Sequence, residues 1–292
     1  MKTGMEIFPL PANQFLSDGG AMFGLVPKGL WSKRCAADDN NCVAQQANCL
    51  LLRGSDGRIG LVDCGCGNPE WFSPRERALH GLETDWLLPK SLAALGVTPA
   101  DIDWVLLSHA HWDHAGGLAD PEGTPTFPNA RILLTEREHR LALGGDPLLY
   151  KSYPDPVRST LQTLQDRIDP LAGSGETVAP GLRVWDGSGH TAGQACLEFG
   201  PCRIAGHPHR LPGAVFAGDN CPTRHHLRLV FQTAYDTLPL QTRAWKRGWL
   251  PRIAREGLAL FFSHDPDAAA ATLQPDPREE FTPATLFPFP PS

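Results

Sequence analysis

No apolar run in this chain approaches the roughly 20 residues that a membrane-spanning helix needs. Met1 to Phe15 lacks the succession of basic, apolar and small residues that marks an export signal. Basic side chains do not predominate: 26 Lys and Arg stand against 32 Asp and Glu, a formal net charge of −6, which argues against a nucleic-acid backbone as partner. No Gly-x-Gly-x-x-Gly loop follows a strand, so no bound dinucleotide is expected. No Ser occupies a Gly-x-Ser-x-Gly elbow, which argues against a serine nucleophile. Internal repeats and low-complexity tracts are absent too. What remains is a globular composition, 41% apolar over 292 residues, long enough for a substantial core and rich in turns with 29 Gly and 28 Pro.

The eight cysteines are Cys35, Cys42, Cys49, Cys64, Cys66, Cys196, Cys202 and Cys221. Without an export signal they read as free thiols, and a cytoplasmic location is expected. Cys35 and Cys42 flank an Asp/Asn-rich loop and stay open to pairing under oxidising conditions. Cys64 and Cys66, in Asp-Cys-Gly-Cys-Gly, are read as structural, because a lone Cys-x-Cys is weak as a metal signature.

The informative stretch runs from Trp104 to Gly117: Trp-Val-Leu-Leu-Ser-His-Ala-His-Trp-Asp-His-Ala-Gly-Gly. Its apolar start reads as a buried strand. His109, His111, Asp113 and His114 follow at once, nitrogen and oxygen donors suited to a borderline metal such as zinc. Alternation along an extended backbone lets His109 and His111 share a face, while Asp113 and His114 lie where the loop turns and can serve a second ion. Gly116 and Gly117 permit a tight turn.

His-x-His-x-Asp-His after an apolar strand resembles the signature of the metallo-β-lactamase superfamily. The resemblance implies a four-layer αββα sandwich, two sheets face to face with helices outside, and one or two metals at the sheet edge. It covers residues 63 to 264. On this reading 1–292 is a single domain, with an N-terminal arm over about 1–46 and a Pro-rich tail over about 266–292 that wraps the surface.

The remaining strands carry further matches in order. Asp18 to Pro27 reads as a first strand broken by glycine turns, and Asn48–Leu52 with Arg58–Val62 as a hairpin. Asp63 leaves the second of these and matches a residue that orients a ligand histidine from below. Asp85–Leu95 fits an amphipathic helix, Thr98-Pro99 a cap leading into the metal-motif strand, and Arg131–Leu134 a strand. Thr135 caps a helix to about Leu143, with Glu136 and Glu138 favourable to its dipole. Residues 144–156 read as an exposed loop near the site and Val157–Ile168 as a helix. Leu182–Asp186 ends in Gly-Ser-Gly-His-Thr-Ala-Gly, where His190 matches a ligand. Ala195–Phe199 is a further strand. Ala214–Ala217 ends at Asp219, the superfamily's bridging carboxylate position, and Leu258–Phe262 ends at His264, the last ligand. His207 and His209, in a Pro/Gly-rich hairpin, are read as surface residues.

The resemblance thus implies two divalent ions, zinc first, with manganese, iron or cobalt as alternatives. His109, His111 and His190 would hold one ion, Asp113, His114 and His264 the other, and Asp219 both. Such ions lie about 3.5–4 Å apart and activate a hydroxide between them. Asp219 stands where one class of true β-lactamases has Cys, and His111 where diiron oxygen reductases have Glu. Asp-Gly-Gly-Ala-Met-Phe-Gly at 18–24, His-Trp-Asp-His-Ala-Gly-Gly at 111–117, Pro-Asn-Ala-Arg at 128–131 and Ala-Gly-Asp-Asn at 217–220 are similar to the quorum-quenching N-acyl-homoserine lactonases and methyl parathion hydrolases. The expected activity is hydrolysis of a small-molecule lactone or other carboxylic ester, with Asp113 relaying a proton and Asp219 also catalytic. Pro222 departs from the Tyr that some lactonases use for the leaving group; His225, His226 or Tyr235 are candidate substitutes. Trp112, Trp31, Phe23, Tyr150 and Tyr153 are candidate pocket walls. Competing readings are a phosphotriesterase or arylesterase, a glutathione-thioester hydrolase of glyoxalase II type and a mononuclear-iron persulfide dioxygenase. A nuclease would call for a basic surface and a non-catalytic protein for lost ligands; neither is found. No nucleic acid or membrane partner is expected, and a homodimer is a candidate assembly.

Overall fold

A computed structural model describes residues 4–290 except Pro147 and Tyr150. Among them are fourteen strands: β1 (Met5–Asp18), β2 (Cys42–Arg53), β3 (Ile59–Val62), β4 (Trp104–Leu106), β5 (Arg131–Thr135), β6 (Ile168–Leu171), β7 (Ser174–Ala179), β8 (Leu182–Asp186), β9 (Ala195–Phe199), β10 (Cys202–Ile204), β11 (Ala214–Phe216), β12 (Ala259–Phe261), β13 (Ala270–Asp276) and β14 (Glu280–Phe287). They form two seven-stranded sheets, ordered β10-β1-β2-β3-β4-β5-β6 and β14-β13-β12-β11-β9-β8-β7. In the first sheet β3 to β6 run parallel. In the second only β11 and β12 pair in parallel.

Side-chain alternation divides the interior into layers. Leu50, Leu52, Val62 and Leu106 of the first sheet meet Val184, Leu197, Phe216 and Phe261 of the second. The intervening Leu51, Leu61 and Val105 face outward, onto Leu88, Leu92 and Leu161 of the helices Leu87–Ala94 and Asp155–Thr163. Val215 and Leu260 face the other way, onto Leu250 and Ile253 of the helix Pro239–Glu256. The sequence of layers is helix, sheet, sheet, helix, the αββα sandwich expected.

Four expectations need correction. Residues 18–27 are not a strand: the Asp18 carboxylate accepts the Ala21 N–H at 2.8 Å and starts the short helix Gly19–Phe23. The strand is Met5–Asp18, and it lies inside the first sheet between β10 and β2 rather than forming an arm. The Pro-rich tail is also ordered, as the β13–β14 hairpin at the rim of the second sheet, where Pro275 and Pro283 are tolerated. Val157–Ile168 is not helical throughout: the α-helix is Asp155–Thr163, and Ile168–Leu171 is the outermost strand of the first sheet. The remaining strands of the sequence reading lie where expected within a residue or two, except that Asn48–Leu52 is only the end of the longer β2, Cys42–Arg53.

The interface between the sheets should dominate stability. Phe261→Ala, at a fully buried site between them, is expected to cost roughly 3–5 kcal/mol in urea unfolding. Leu286→Ala, on the exposed face of β14, should stay within about 0.5 kcal/mol.

Candidate metal centre

The candidate ligands converge because the strands that carry them end at one edge of both sheets. After β4 the chain stays extended through His109 to His111, then turns into the short helix Trp112–Ala115. The turn is tight for a reason visible in its two glycines. A Cβ on Gly117 would collide with the Cys64 carbonyl oxygen, and one on Gly116 with that of Cys66. The Cys64 N–H donates to the His114 carbonyl at 2.8 Å, and its thiol faces the same oxygen at 3.2 Å. All eight thiols are free; burial pushes those of Cys64 and Cys66 well up, in keeping with a structural role.

Asp63 ties these loops together. It is buried and holds φ at 57°, a conformation uncommon for a residue with a Cβ. Its Oδ1 accepts the Ser108 N–H at 2.7 Å and its Oδ2 the Ser108 hydroxyl at 2.8 Å. Oδ2 also accepts from His114 Nδ1 at 2.8 Å.

The donor atoms of His109, His111 and His190 lie within 4.8 Å of one another, as do those of His109, His114 and Asp219, and of Asp113, His114 and His264. His111 Nδ1 is 3.0 Å from His190 Nε2, and His114 Nε2 is 3.1 Å from His264 Nε2. Asp219 faces both sets: Oδ1 is 3.3 Å from His114 Nε2, and Oδ2 is 3.4 Å from His190 Nε2 and 3.2 Å from His264 Nε2. Asp113 Oδ2 is 3.5 Å from His264 Nε2. Ser263 Oγ donates to Asp219 Oδ1 at 2.7 Å, and Gln194 Oε1 accepts the Asp219 N–H at 3.0 Å.

The outer hydrogen bonds decide what the inner nitrogens can do. His114 Nδ1–H is committed to Asp63, and His264 Nδ1 to the Gln46 carbonyl at 3.3 Å. Their Nε2 lone pairs therefore point at each other across 3.1 Å, an arrangement that needs a positive charge between them. His109 Nδ1 meets Ser108 Oγ at 3.1 Å, and since that hydroxyl's proton goes to Asp63, His109 must donate and keep a bare Nε2. That Nε2 is buried with no partner. His190 Nδ1 is held by Asp236 Oδ1 at 3.0 Å, leaving its Nε2 bare as well. Buried imidazole lone pairs converging with carboxylates are a donor set for divalent cations.

Electrostatics favour the same conclusion. Burial, with neighbouring imidazoles, pushes His109 and His111 well below the usual histidine range, which keeps them neutral. Burial also opposes a proton on His114, but Asp219, Asp63 and Asp113 overcome it and raise that imidazole well above the usual range. Burial would raise Asp219; His264, His114 and His190 instead hold it well below the carboxylate range. A proton on His114 and a metal ion are alternative occupants of one negative pocket.

A cleft of about 340 Å³ opens over these groups, lined by Phe15, His80, Trp112, Asp113, Lys151 and Tyr235 among others. Trp112 and Tyr235 thus reach the cleft. His225 and His226 do not line it. His226 is fully buried, stacked on Phe23 at 5.1 Å, with Nε2 on the Met22 carbonyl at 2.9 Å and Nδ1 on Thr223 Oγ1 at 2.8 Å. Burial and Lys246 push it down to about 3. His225 sits in a separate pocket with Arg224 and Asp265. Phe23 and Trp31 stack on each other in the core, Tyr153 is buried behind His111, and Tyr150 lies outside the described residues. His207 and His209 bond only within their own turn. Ser108, Gln194, Ser263 and Asp236 were not legible as site residues: each acts through a ligand rather than as one. His80 and Lys151 were missed because nothing local marks them.

A family profile described as the metallo-beta-lactamase superfamily matches residues 43–209. The uncharacterized protein YobT of Bacillus subtilis is 33% identical over 117 residues, 38% of this chain and 48% of that protein. The N-acyl homoserine lactonase AiiB of Agrobacterium fabrum is 30% identical over 186 residues, 59% of this chain and 62% of that protein. The chain therefore spans about half the length of these curated relatives. Among solved structures, a probable metal-dependent hydrolase from Staphylococcus aureus is 27% identical, with a TM-score of 0.85 over 99% of this chain and 98% of its own. The dizinc quorum-quenching lactonase AidC shares the fold at 20% identity, with a TM-score of 0.76 over 99% of this chain and 96% of its own.

Metal affinity should depend on pH with a definite sign. Because His114 holds its proton above the ordinary range, a cation must displace that proton, and binding should tighten as pH rises through neutrality. Titrating metal-free protein across pH 5.5 to about 8.5 should show proton release and rising affinity; a pH-independent constant would exclude the competition.

Proposed function

This chain belongs to the metallo-β-lactamase superfamily, and from that premise we propose that it is a two-metal hydrolase of carboxylic esters, with N-acyl-homoserine lactones as the leading substrate class. The observation that carries the reading is Asp219, whose carboxylate lies 3.4 Å from His190 of one set and 3.3 and 3.2 Å from His114 and His264 of the other. His109, His111 and His190 would hold one ion, Asp113, His114 and His264 the second, with Asp219 shared. Divalent ions held there supply Lewis acidity to a carbonyl oxygen and lower the pKa of water.

The chain's own groups do the rest. Asp63 and Asp236 hold His114 and His190 through their Nδ1 protons, so that the Nε2 atoms stay bare and aimed inward. Asp113 is partly open to the cleft and can take a proton at Oδ2 and return it to the departing alkoxide. Among the described residues Tyr235, half exposed at the cleft, is the phenol situated to meet the leaving group where Pro222 offers none. Phe15 and Trp112, 5.7 Å apart between ring centroids, give an apolar wall that excludes water.

Two features support a neutral lactone over a glutathione thioester. Among the described residues lining the cleft, Lys151 is the only lysine or arginine, whereas glutathione carries two carboxylates. The 30% identity to AiiB, named an N-acyl homoserine lactonase, points the same way.

The test is a hydrolysis panel of lactones, aryl esters, phosphotriesters and thioesters on metal-analysed protein. Lactones should give the highest kcat/KM, with metal content near two per chain. A content that stays at one in excess metal would remove the binuclear reading. Thioester or phosphotriester preference would replace the substrate class, and oxygen uptake without hydrolysis would point to the dioxygenase. Asp219→Ala should lower kcat/KM by orders of magnitude, while His207→Ala with His209→Ala should leave it nearly unchanged.

A further inference from the structure

Glu138 is a fully buried carboxylate that the reaction does not use directly. Its Oε1 accepts the Ala110 N–H at 3.0 Å and the Tyr153 hydroxyl at 2.7 Å; its Oε2 accepts the Thr191 hydroxyl at 2.6 Å. Ala110 lies between His109 and His111, and Thr191 follows His190. The ring of Tyr153 packs edge-on against His111, centroids 4.8 Å apart. One side chain therefore grips both segments that bring the first three nitrogens together, and the aromatic ring behind one of them.

Its own placement is firm. Glu138 stands in the first turn of the helix Glu136–Leu143, where Thr135 Oγ1 accepts its N–H at 3.1 Å. The same hydroxyl donates to the Gly193 carbonyl at 2.5 Å. A Cβ on Gly193 would strike the Glu138 backbone, so the helix start is wedged against the His190 turn. By contrast, His114 is held by Asp63 and His264 by Gln46.

We infer that Glu138 is a positioning residue for one half of the metal centre: it sets the spacing of His109, His111 and His190, and leaves the Asp113, His114 and His264 half to other supports. The inference rests on the two-metal reading above. Its mechanism is geometric, because Oε1 and Oε2 each fix a different loop. Glu138→Gln keeps an oxygen for Ala110 and Tyr153 and places an amide against the Thr191 hydroxyl, which can turn to accept. Glu138→Ala releases all three donors.

The experiment is cobalt(II) titration of the metal-free full chain, followed by visible absorption and calorimetry. In a His264→Ala background, which leaves the His109, His111 and His190 site, Glu138→Ala should weaken binding roughly tenfold to a hundredfold and change the ligand-field bands. Glu138→Gln should restore most of the affinity. In a His111→Ala background, which leaves the other site, Glu138→Ala should barely alter it. Should Glu138→Ala fail to fold, Thr191→Val and Tyr153→Phe each remove one donor, and both should weaken the first site selectively. Equal weakening at both sites, no weakening at either, or a Gln variant as poor as Ala would overturn the inference while leaving the two-metal reading standing. A parent chain that takes up no cobalt would overturn both.

Discussion

The Asp63 carboxylate is the contact on which the site most depends. It sits where β3 ends, and it accepts from the backbone and hydroxyl of Ser108, where β4 ends, and from the His114 ring beyond. Three donors satisfy a buried anion that would otherwise be costly to desolvate. In return the anion fixes which nitrogen of His114 is bare and, through Ser108, which nitrogen of His109 is bare. The unusual backbone at Asp63 is the local cost of aiming that carboxylate under the loop. Asn13 supports the other side, donating to the Gly67 carbonyl at 3.0 Å and accepting the Cys66 N–H at 2.9 Å from a register shift in β1.

The sandwich explains why such a centre can sit at an edge and still be dry. The inner faces of the sheets are apolar through their middle, while polar groups such as Gln46 and Asn48 of β2 lie toward the edge that holds the site. Ligands arrive on short loops leaving β4, β8, β11 and β12, each a loop anchored at a strand end. Outer partners then remove the freedom those loops would have: Gln194 and Ser263 for Asp219, Asp236 for His190, Gln46 for His264. Neutral imidazoles at His109 and His111, one strongly acidic carboxyl and two proton-retentive histidines, His114 and His190, follow from the arrangement rather than from any residue type alone.

Much of this was legible in the chain because one pattern recurs: an apolar run, then a small-residue turn, then His or Asp. The recurrence locates β4, β8, β11 and β12 and the group at each end. What supports those groups was not legible, since hydrogen bonds between distant loops leave no local trace. Asp236 is 46 positions from His190, and Glu138 reads simply as a favourable first-turn acid. The helix Pro239–Glu256 was missed for a different reason. Gly248 and the interior Pro251 argue against a helix, yet burial of Trp245, Leu250 and Ile253 against the second sheet outweighs the lost hydrogen bond. The C-terminal prolines misled similarly, because a hairpin at a sheet rim tolerates them.

Lys246 on that helix has a quieter effect. Its ammonium is buried and donates to the carbonyls of His226 and Phe231 at 2.7 and 2.5 Å, so the segment after Cys221 is drawn against the second sheet. The segment from His226 to Phe231 is thereby tied to a helix that follows it in the chain.

The two ends of the metal centre lie far apart along the polypeptide. His114 and His264 face each other across 150 positions, one from each sheet. A ribosome making this protein exposes the His-rich turn long before its counterpart exists. During that interval the early imidazoles are an incomplete chelate, able to meet whatever ion the surroundings offer but unable to enclose it. The donor set is therefore complete only late in folding, when β12 enters its sheet and brings His264 to His114.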